Sequence, residues 1–191
     1  MTPAEILRRQ EQALQNCRQC KLCEGRTNVV FGSGNPTAEF VVIGEGPGAD
    51  EDAQGLPFVG RAGQLLTKML TAVNLTREEV FITNAVLCRP PGNRNPEPDE
   101  LAACAPFLAD KLAVIQPKVV LALGSVATQS LLRTKEAIGK LRGRLHPFGD
   151  AVLIPTFHPA FLLRNPGPEY KRMAWEDLKL ARREYDKRKT R

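Results

Sequence analysis

The sequence predicts an α/β fold, a parallel sheet covered by helices on both faces. Three observations predict it. Four short apolar runs, Phe40–Ile43, Val80–Ala85, Val119–Leu123 and Val152–Pro155, have strand length and are separated by segments of helical character. The first and third runs stop at a glycine, Gly44 and Gly124, as strands do when they empty into loops at a sheet edge. The length of 191 residues, 42% hydrophobic and 25% charged, suits one globular domain with a full core, expected to span 1–191.

The elements can be justified in order. Thr2-Pro3-Ala4-Glu5 is a capping box with proline at the first helical position, so a helix should run to about Asn16 on Ile6, Leu7 and Leu14. Gly32, Gly34 and Pro36 break the segment from Gly25 to Thr37 into a loop or short hairpin. After the first strand, Gly44, Gly46, Pro47 and Gly48 form a loop that carries Glu45, with Asp50, Glu51 and Asp52 close behind. A helix should begin only near Arg61 and reach Val73. The second strand leads to Cys88-Arg-Pro-Pro-Gly-Asn-Arg-Asn-Pro-Glu-Pro, too rich in proline for regular structure. Asp99 is placed to cap a helix that reaches about Gln116 and carries Cys104. The third strand is followed by a short helix, Ser125–Leu132. Leu141 to Leu153 reads as turns and a hairpin that feed the fourth strand, and a last helix spans about Lys171 to Lys187.

Charge and composition narrow the function. The net charge is +6, and the last eleven residues, about 181–191, hold six basic and two acidic groups. This basic tail reads either as a surface for an anionic partner such as nucleic acid or as a solvated helix end. No membrane span is expected, since the longest uncharged apolar-rich run, Val119–Leu132, is only 14 residues. No signal peptide is recognisable, and a cytoplasmic location is expected, where thiols stay reduced. Five cysteines in that setting suggest a metal or cluster rather than disulfides. Cys17, Cys20 and Cys23 are spaced C-x2-C-x2-C, and Cys88 and Cys104 lie far downstream. Both zinc and a [4Fe-4S] cluster take four thiolates. Cys88 and Cys104 do not form a second short knuckle, which tilts the spacing toward iron–sulfur. The spacing leaves open which two of the three N-terminal cysteines serve.

On a parallel sheet the ends of all strands open on one edge, where ligands bind in α/β folds. Glu45 and Glu51 follow the first strand, Asn84 ends the second and His158 follows the fourth. With Phe58 they can converge on one pocket. The triplet Gly44-x-Gly46-x-Gly48 does not satisfy a dinucleotide fingerprint, because Pro47 interrupts it and no acid ends a strand about 20 residues on.

Three stretches then carry a family resemblance: GEGPGADEDAQGLPFVGRAGQLL (44–66), ITNAVLCRPPGNRNPEP (82–98) and FHPAFLLRNP (157–166). They are similar to the motifs of the iron–sulfur, type-4 uracil-DNA glycosylases, and the resemblance extends from Cys17 to the last helix. It implies a three-layer α/β/α fold with a central four-stranded parallel sheet. It also implies a [4Fe-4S] cluster on Cys17, Cys20, Cys88 and Cys104, with Cys23 outside the pattern. The implied activity is excision of uracil from DNA, leaving an abasic site, by a monofunctional hydrolase expected to act as a monomer in base excision repair.

The resemblance also implies roles. The nucleotide must be flipped out of the duplex to be reached. Phe58 would stack on the uracil ring, in a pocket to which Gly46 and Pro47 contribute. Asn84 would accept from uracil N3–H and donate to O4, and Glu51 would exclude the thymine methyl. His158 would stabilise negative charge at O2, and Glu45 would stand near the cationic sugar and orient the water. Related glycosylases carry Asp or Asn where this chain has Gly46. Leu162 would fill the gap in the duplex, and Arg89, Arg94 and Arg164 would meet phosphates.

Overall fold

The computed structural model describes residues 1–190, so Arg191, the last residue of the predicted basic tail, lies outside the described residues. Helix α1 (Pro3–Leu14) opens on the expected capping box: Thr2 Oγ1 accepts the Glu5 N–H at 3.2 Å, and Glu5 accepts the Thr2 N–H at 2.7 Å. A 3-10 turn, Lys21–Glu24, follows Cys20. The chain then forms β1 (Ser33–Gly34), β2 (Phe40–Gly44), α2 (Ala49–Gln54), α3 (Arg61–Ala72) and β3 (Phe81–Asn84). After the proline-rich loop come α4 (Pro98–Ile115), β4 (Val119–Leu123), α5 (Ser125–Leu132) and α6 (Ile138–Leu141). The last elements are β5 (His146–Phe148), β6 (Ala151–Thr156), α7 (Pro159–Arg164) and α8 (Pro168–Arg188).

The sheet order is β1-β3-β2-β4-β6-β5. Its centre, β3-β2-β4-β6, is the parallel four-stranded unit the sequence leads one to expect. Two short antiparallel strands, β1 and β5, extend it to six. At two and three residues they are too short for a readable alternation, and short edge strands blunt unwanted pairing. Every residue of β2 and β4 is buried, as strands covered on both faces require. Alternation splits them between two cores. Val42, Leu121 and Ile154 pack with Leu66 and Leu70 of α3 and Leu178 of α8. Val41, Val120 and Leu153 pack with Leu7 and Leu14 of α1 and Leu108 of α4. Among the described residues no helix is long and apolar enough to cross a membrane.

Three element boundaries differ from expectation. The segment before Arg61 is not all loop, because α2 forms within it. Its six residues carry no apolar stripe; the Glu51 side chain accepts the Gly48 N–H at 3.1 Å and closes its first turn. Helix α4 begins at Pro98 with Glu97 as its cap, not at Asp99. Helix α8 begins at Pro168, where proline at the first helical position sets the start.

Two buried polar knots tie these layers together. Lys111 of α4 is fully buried; its Nζ donates to Phe31 O at 2.5 Å and Thr83 Oγ1 at 2.9 Å and lies 4.1 Å from the Phe31 ring centroid. Asp177 of α8 accepts from Arg142 Nε at 2.9 Å, Arg142 Nη2 at 2.6 Å and Thr156 Oγ1 at 2.7 Å. That second knot fixes the end of β6, two residues before His158.

Candidate active site

The carboxyl ends of the parallel strands share one edge, with Gly44 paired to Asn84 and Leu123 to Thr156. The loops leaving that edge enclose a cleft of about 410 Å³, within the usual range for a small-molecule site. Glu45, Gly46, Pro47, Glu51, Phe58, Asn84 and His158 are among its lining residues. The structure therefore brings together all of the residues the sequence assigns to base binding.

Asn84 ends β3 with its side chain buried, and its Oδ1 has no hydrogen-bond partner among the described residues. An unsatisfied buried acceptor costs about 1–3 kcal/mol, and here the atom stands at the cleft, open to a donor. Close packing holds it there. A Cβ on Gly44 would lie 2.5 Å from Asn84 Oδ1 and 2.5 Å from Phe58 Cζ, so only glycine fits at the end of β2.

Phe58 sits in the left-handed region, at φ 51°. Strain of this kind persists only when its surroundings over-determine it. Arg77 supplies that constraint, donating from Nη1 to Phe58 O at 2.9 Å and from Nη2 to Pro57 O at 2.8 Å. Gly63 of α3 supplies the space, since a Cβ there would lie 1.9 Å from Phe58 O. Arg77 carries no signal in the sequence, since it meets Phe58 only through the fold; a glycine inside a helix, as at Gly63, is a signal of close approach.

Glu51 lines the cleft, but its carboxylate is fully engaged. Oε1 accepts the Gly48 N–H, and Oε2 accepts the N–H groups of Val59 and Gly60, each at 2.8 Å. It thus staples the Gly46–Gly48 loop to the start of α3. Gly46 packs against buried Val86, whose Cγ2 would lie 2.7 Å from a Cβ at that position. Glu45 is half-buried beside it, and burial raises its carboxyl pKa against the opposing pull of Arg164.

His158 caps α7. Its Nδ1 accepts the Ala160 N–H at 3.0 Å, which leaves the ring proton on Nε2. Burial, then the positive field of Arg164, push its pKa down to about 4, so the ring is neutral at physiological pH. It stacks on Phe58 with centroids 5.7 Å apart and planes at 29°. A neutral imidazole with a fixed Nε2–H is a hydrogen-bond donor to developing negative charge.

The predicted DNA contacts are divided. Arg164 is exposed and lines the cleft. Arg89 donates to Asn93 Oδ1 at 2.8 Å within the proline-rich loop. Arg94 lines the cleft but is bound bidentately by the buried carboxylate of Glu100, at 2.8 and 2.9 Å, so its charge brackets the loop onto α4. Leu162, expected at the DNA groove, is instead 3% exposed in the core, because that face of α7 packs toward α3. The leucine that α7 exposes is Leu163, at 39%.

Cys17, Cys20, Cys88 and Cys104 line a single apolar cavity between α1, α4 and the proline-rich loop; Cys23, on the 3-10 turn, is not among its lining residues. All five are free thiols. Among the described residues no three His, Cys, Asp or Glu side chains stand close enough to hold a single ion. One tetrahedral zinc would need sulfurs within about 4 Å of one another. Burial pushes Cys104 up to about 11 and Cys88 upward, so a positive centre between them is what would hold them as thiolates. Donor set and apolar lining both fit a cluster.

The fold and this cleft meet in one family. The family model described as the uracil DNA glycosylase superfamily matches residues 31–179, and the chain belongs to that superfamily. A type-4 uracil-DNA glycosylase of Thermotoga maritima is 44% identical over 183 residues, covering 95% of both chains. One of Saccharolobus solfataricus is 46% identical over 162 residues, covering 80% of this chain and 75% of that one. One of Sulfurisphaera tokodaii is 40% identical over 187 residues, covering 93% and 84%. Within the superfamily the chain belongs to the type-4 group.

Proposed function

We propose that this protein flips uracil out of DNA into the cleft and hydrolyses its N-glycosidic bond, leaving an abasic site with the strand intact. The observation that carries the reading is the pairing of Asn84 Oδ1, buried without a partner among the described residues, with a His158 whose free nitrogen is a donor. One suits uracil N3–H and the other uracil O2. Phe58, locked by Arg77, offers a ring face for the base, and its strained backbone keeps that face in place before the base arrives.

As the bond to the sugar breaks, negative charge grows on O2 and positive charge on the sugar. His158 Nε2–H answers the first. Glu45 answers the second and orients the attacking water. Gly46 has no side chain for that task, and burial moves Glu45 toward the range of a working base. No lysine lines the cleft among the described residues, which supports hydrolysis without a Schiff base and hence a monofunctional enzyme. Leu163 fills the space left by the flipped base, Leu162 supports it from the core, and Arg164 meets a flanking phosphate.

Cys17, Cys20, Cys88 and Cys104 are assigned to a [4Fe-4S] cluster. When bound it supplies a tie between N-terminal segment, α4 and proline-rich loop rather than a reaction step. The support is positional: the loop that starts at Cys88 sends Pro90, Asn93, Arg94 and Asn95 to the cleft wall.

An oligonucleotide with one labelled uracil tests the reading. The expected result is cleavage only after alkali and only of the uracil strand. No product from folded protein that carries iron would overturn it in favour of a non-catalytic iron–sulfur DNA-binding protein.

A further inference from the structure

We infer that Arg26 belongs to the iron–sulfur site as an outer partner of Cys88, tightening the hold on the cluster and raising its reduction potential. The inference rests on the cluster assigned above. Arg26 Nη1 donates to Cys88 Sγ at 3.5 Å, and Arg26 lines the same cavity as the four ligand cysteines. It makes no ion pair with a carboxylate among the described residues. A guanidinium that faces an apolar, thiol-lined space without a carboxylate calls for an anionic partner there.

Its position is not left to a flexible loop. The next two residues are held by buried Asp52 of α2, whose Oδ1 accepts the Thr27 N–H at 2.8 Å and the Asn28 N–H at 3.1 Å. Asn28 Nδ2 donates to Asp52 O at 2.7 Å. The guanidinium is therefore presented to Cys88 from a fixed backbone.

The chemistry gives this contact a direction. A cluster on four thiolates is an anion and becomes more so when reduced by one electron. A cationic donor on a ligand sulfur stabilises both states, the reduced one more, so it raises the potential. Sequence spacing cannot show this, because Arg26 lies three residues beyond the cysteine triplet and meets Cys88 only in the fold.

The test compares wild type, Arg26→Lys, Arg26→Gln and Arg26→Met, purified without oxygen, with exposed Arg18→Met as a charge control. Iron and sulfide content, bleaching of the visible band by a ferrous chelator, and the midpoint potential in a mediated dithionite titration are read. Arg26→Met should bleach about 10- to 100-fold faster, the usual cost of losing an outer contact to a metal ligand, and titrate at a lower potential. Arg26→Lys should fall between it and wild type, and Arg18→Met should match wild type. Wild-type bleaching and potential in Arg26→Met would overturn the inference, as would an equal change in Arg18→Met. Should Arg26→Met assemble no cluster, Arg26→Lys and Arg26→Gln decide, and wild-type values in both overturn it. A wild-type protein without iron would instead remove the cluster assignment itself.

Discussion

The neutrality of His158 makes the sharpest prediction. Its Nδ1 is occupied by the Ala160 N–H, and its pKa stands at about 4 against an ordinary 6.5. Only about one ring in a thousand is protonated at pH 7. If the ring acts as a neutral donor, kcat/KM for uracil release should not decline between pH 6 and 8 on its account. His158→Ala should lower the single-turnover rate about 10²- to 10³-fold, the loss of one oxyanion donor, or about 2.7–4 kcal/mol of barrier. Binding of DNA that carries an uncleavable uridine analogue should change far less. The shift also has a thermodynamic sign. The fold favours the uncharged ring, so the stability it contributes is complete above pH 6.5 and lost as pH falls from 6.5 through 4. That loss amounts to at most about 3 kcal/mol and should vanish in the variant. Rapid-quench kinetics across pH, with denaturant titrations at pH 7 and 4.5, measure both. A wild-type rate that falls tenfold per pH unit above 6, flattening in His158→Ala, would mean an imidazolium acid and refute the argument.

Other perturbations test other parts of the site. Asn84→Asp replaces the amide donor with an acceptor, so preference for uracil over cytosine should drop about 10- to 100-fold, read from competing single-turnover rates. Arg77→Ala frees the backbone at Phe58 from two hydrogen bonds; KM should rise more than kcat falls, and stability should drop by about 1–3 kcal/mol in urea unfolding. Lys111→Met removes a buried ammonium whose pKa burial pulls down to about 7. In wild type the unfolded chain binds more protons between pH 7 and 10.5, so stability climbs with pH across that window. The variant should lose the climb, because methionine has no proton to bind; the acceptors Phe31 O and Thr83 Oγ1, left without their donor, offset the relief of desolvation at pH 7.

Much of this arrangement was legible because it depends on strand ends. Short apolar runs located β2, β3, β4 and β6, and a parallel sheet then put Glu45, Asn84 and His158 on one edge without any contact being known. The residues that stayed hidden work through space or through the backbone. Arg77 meets Phe58 across the loop before α3, and the guanidinium of Arg94 is claimed by Glu100. The orientation of Leu162 could not be read either, since the turn of a six-residue helix is set by what it packs on. Helix α2 escaped because its signal is a single cap, the Glu51 carboxylate accepting the Gly48 N–H, and not a hydrophobic period.

That small helix has a bearing on where the working unit of this protein starts. Its adjacent acids face different clients: Glu51 gathers the backbone of the loops that line the cleft, and Asp52 gathers that of residues 27 and 28. The family model begins at residue 31, just past the segment Asp52 holds. A shortened protein cut at that point would take from Asp52 both backbone donors that its carboxylate accepts, one residue from the staple that shapes the cleft. Minimal versions for engineering should therefore retain the N-terminal thirty residues even where the cofactor is not wanted.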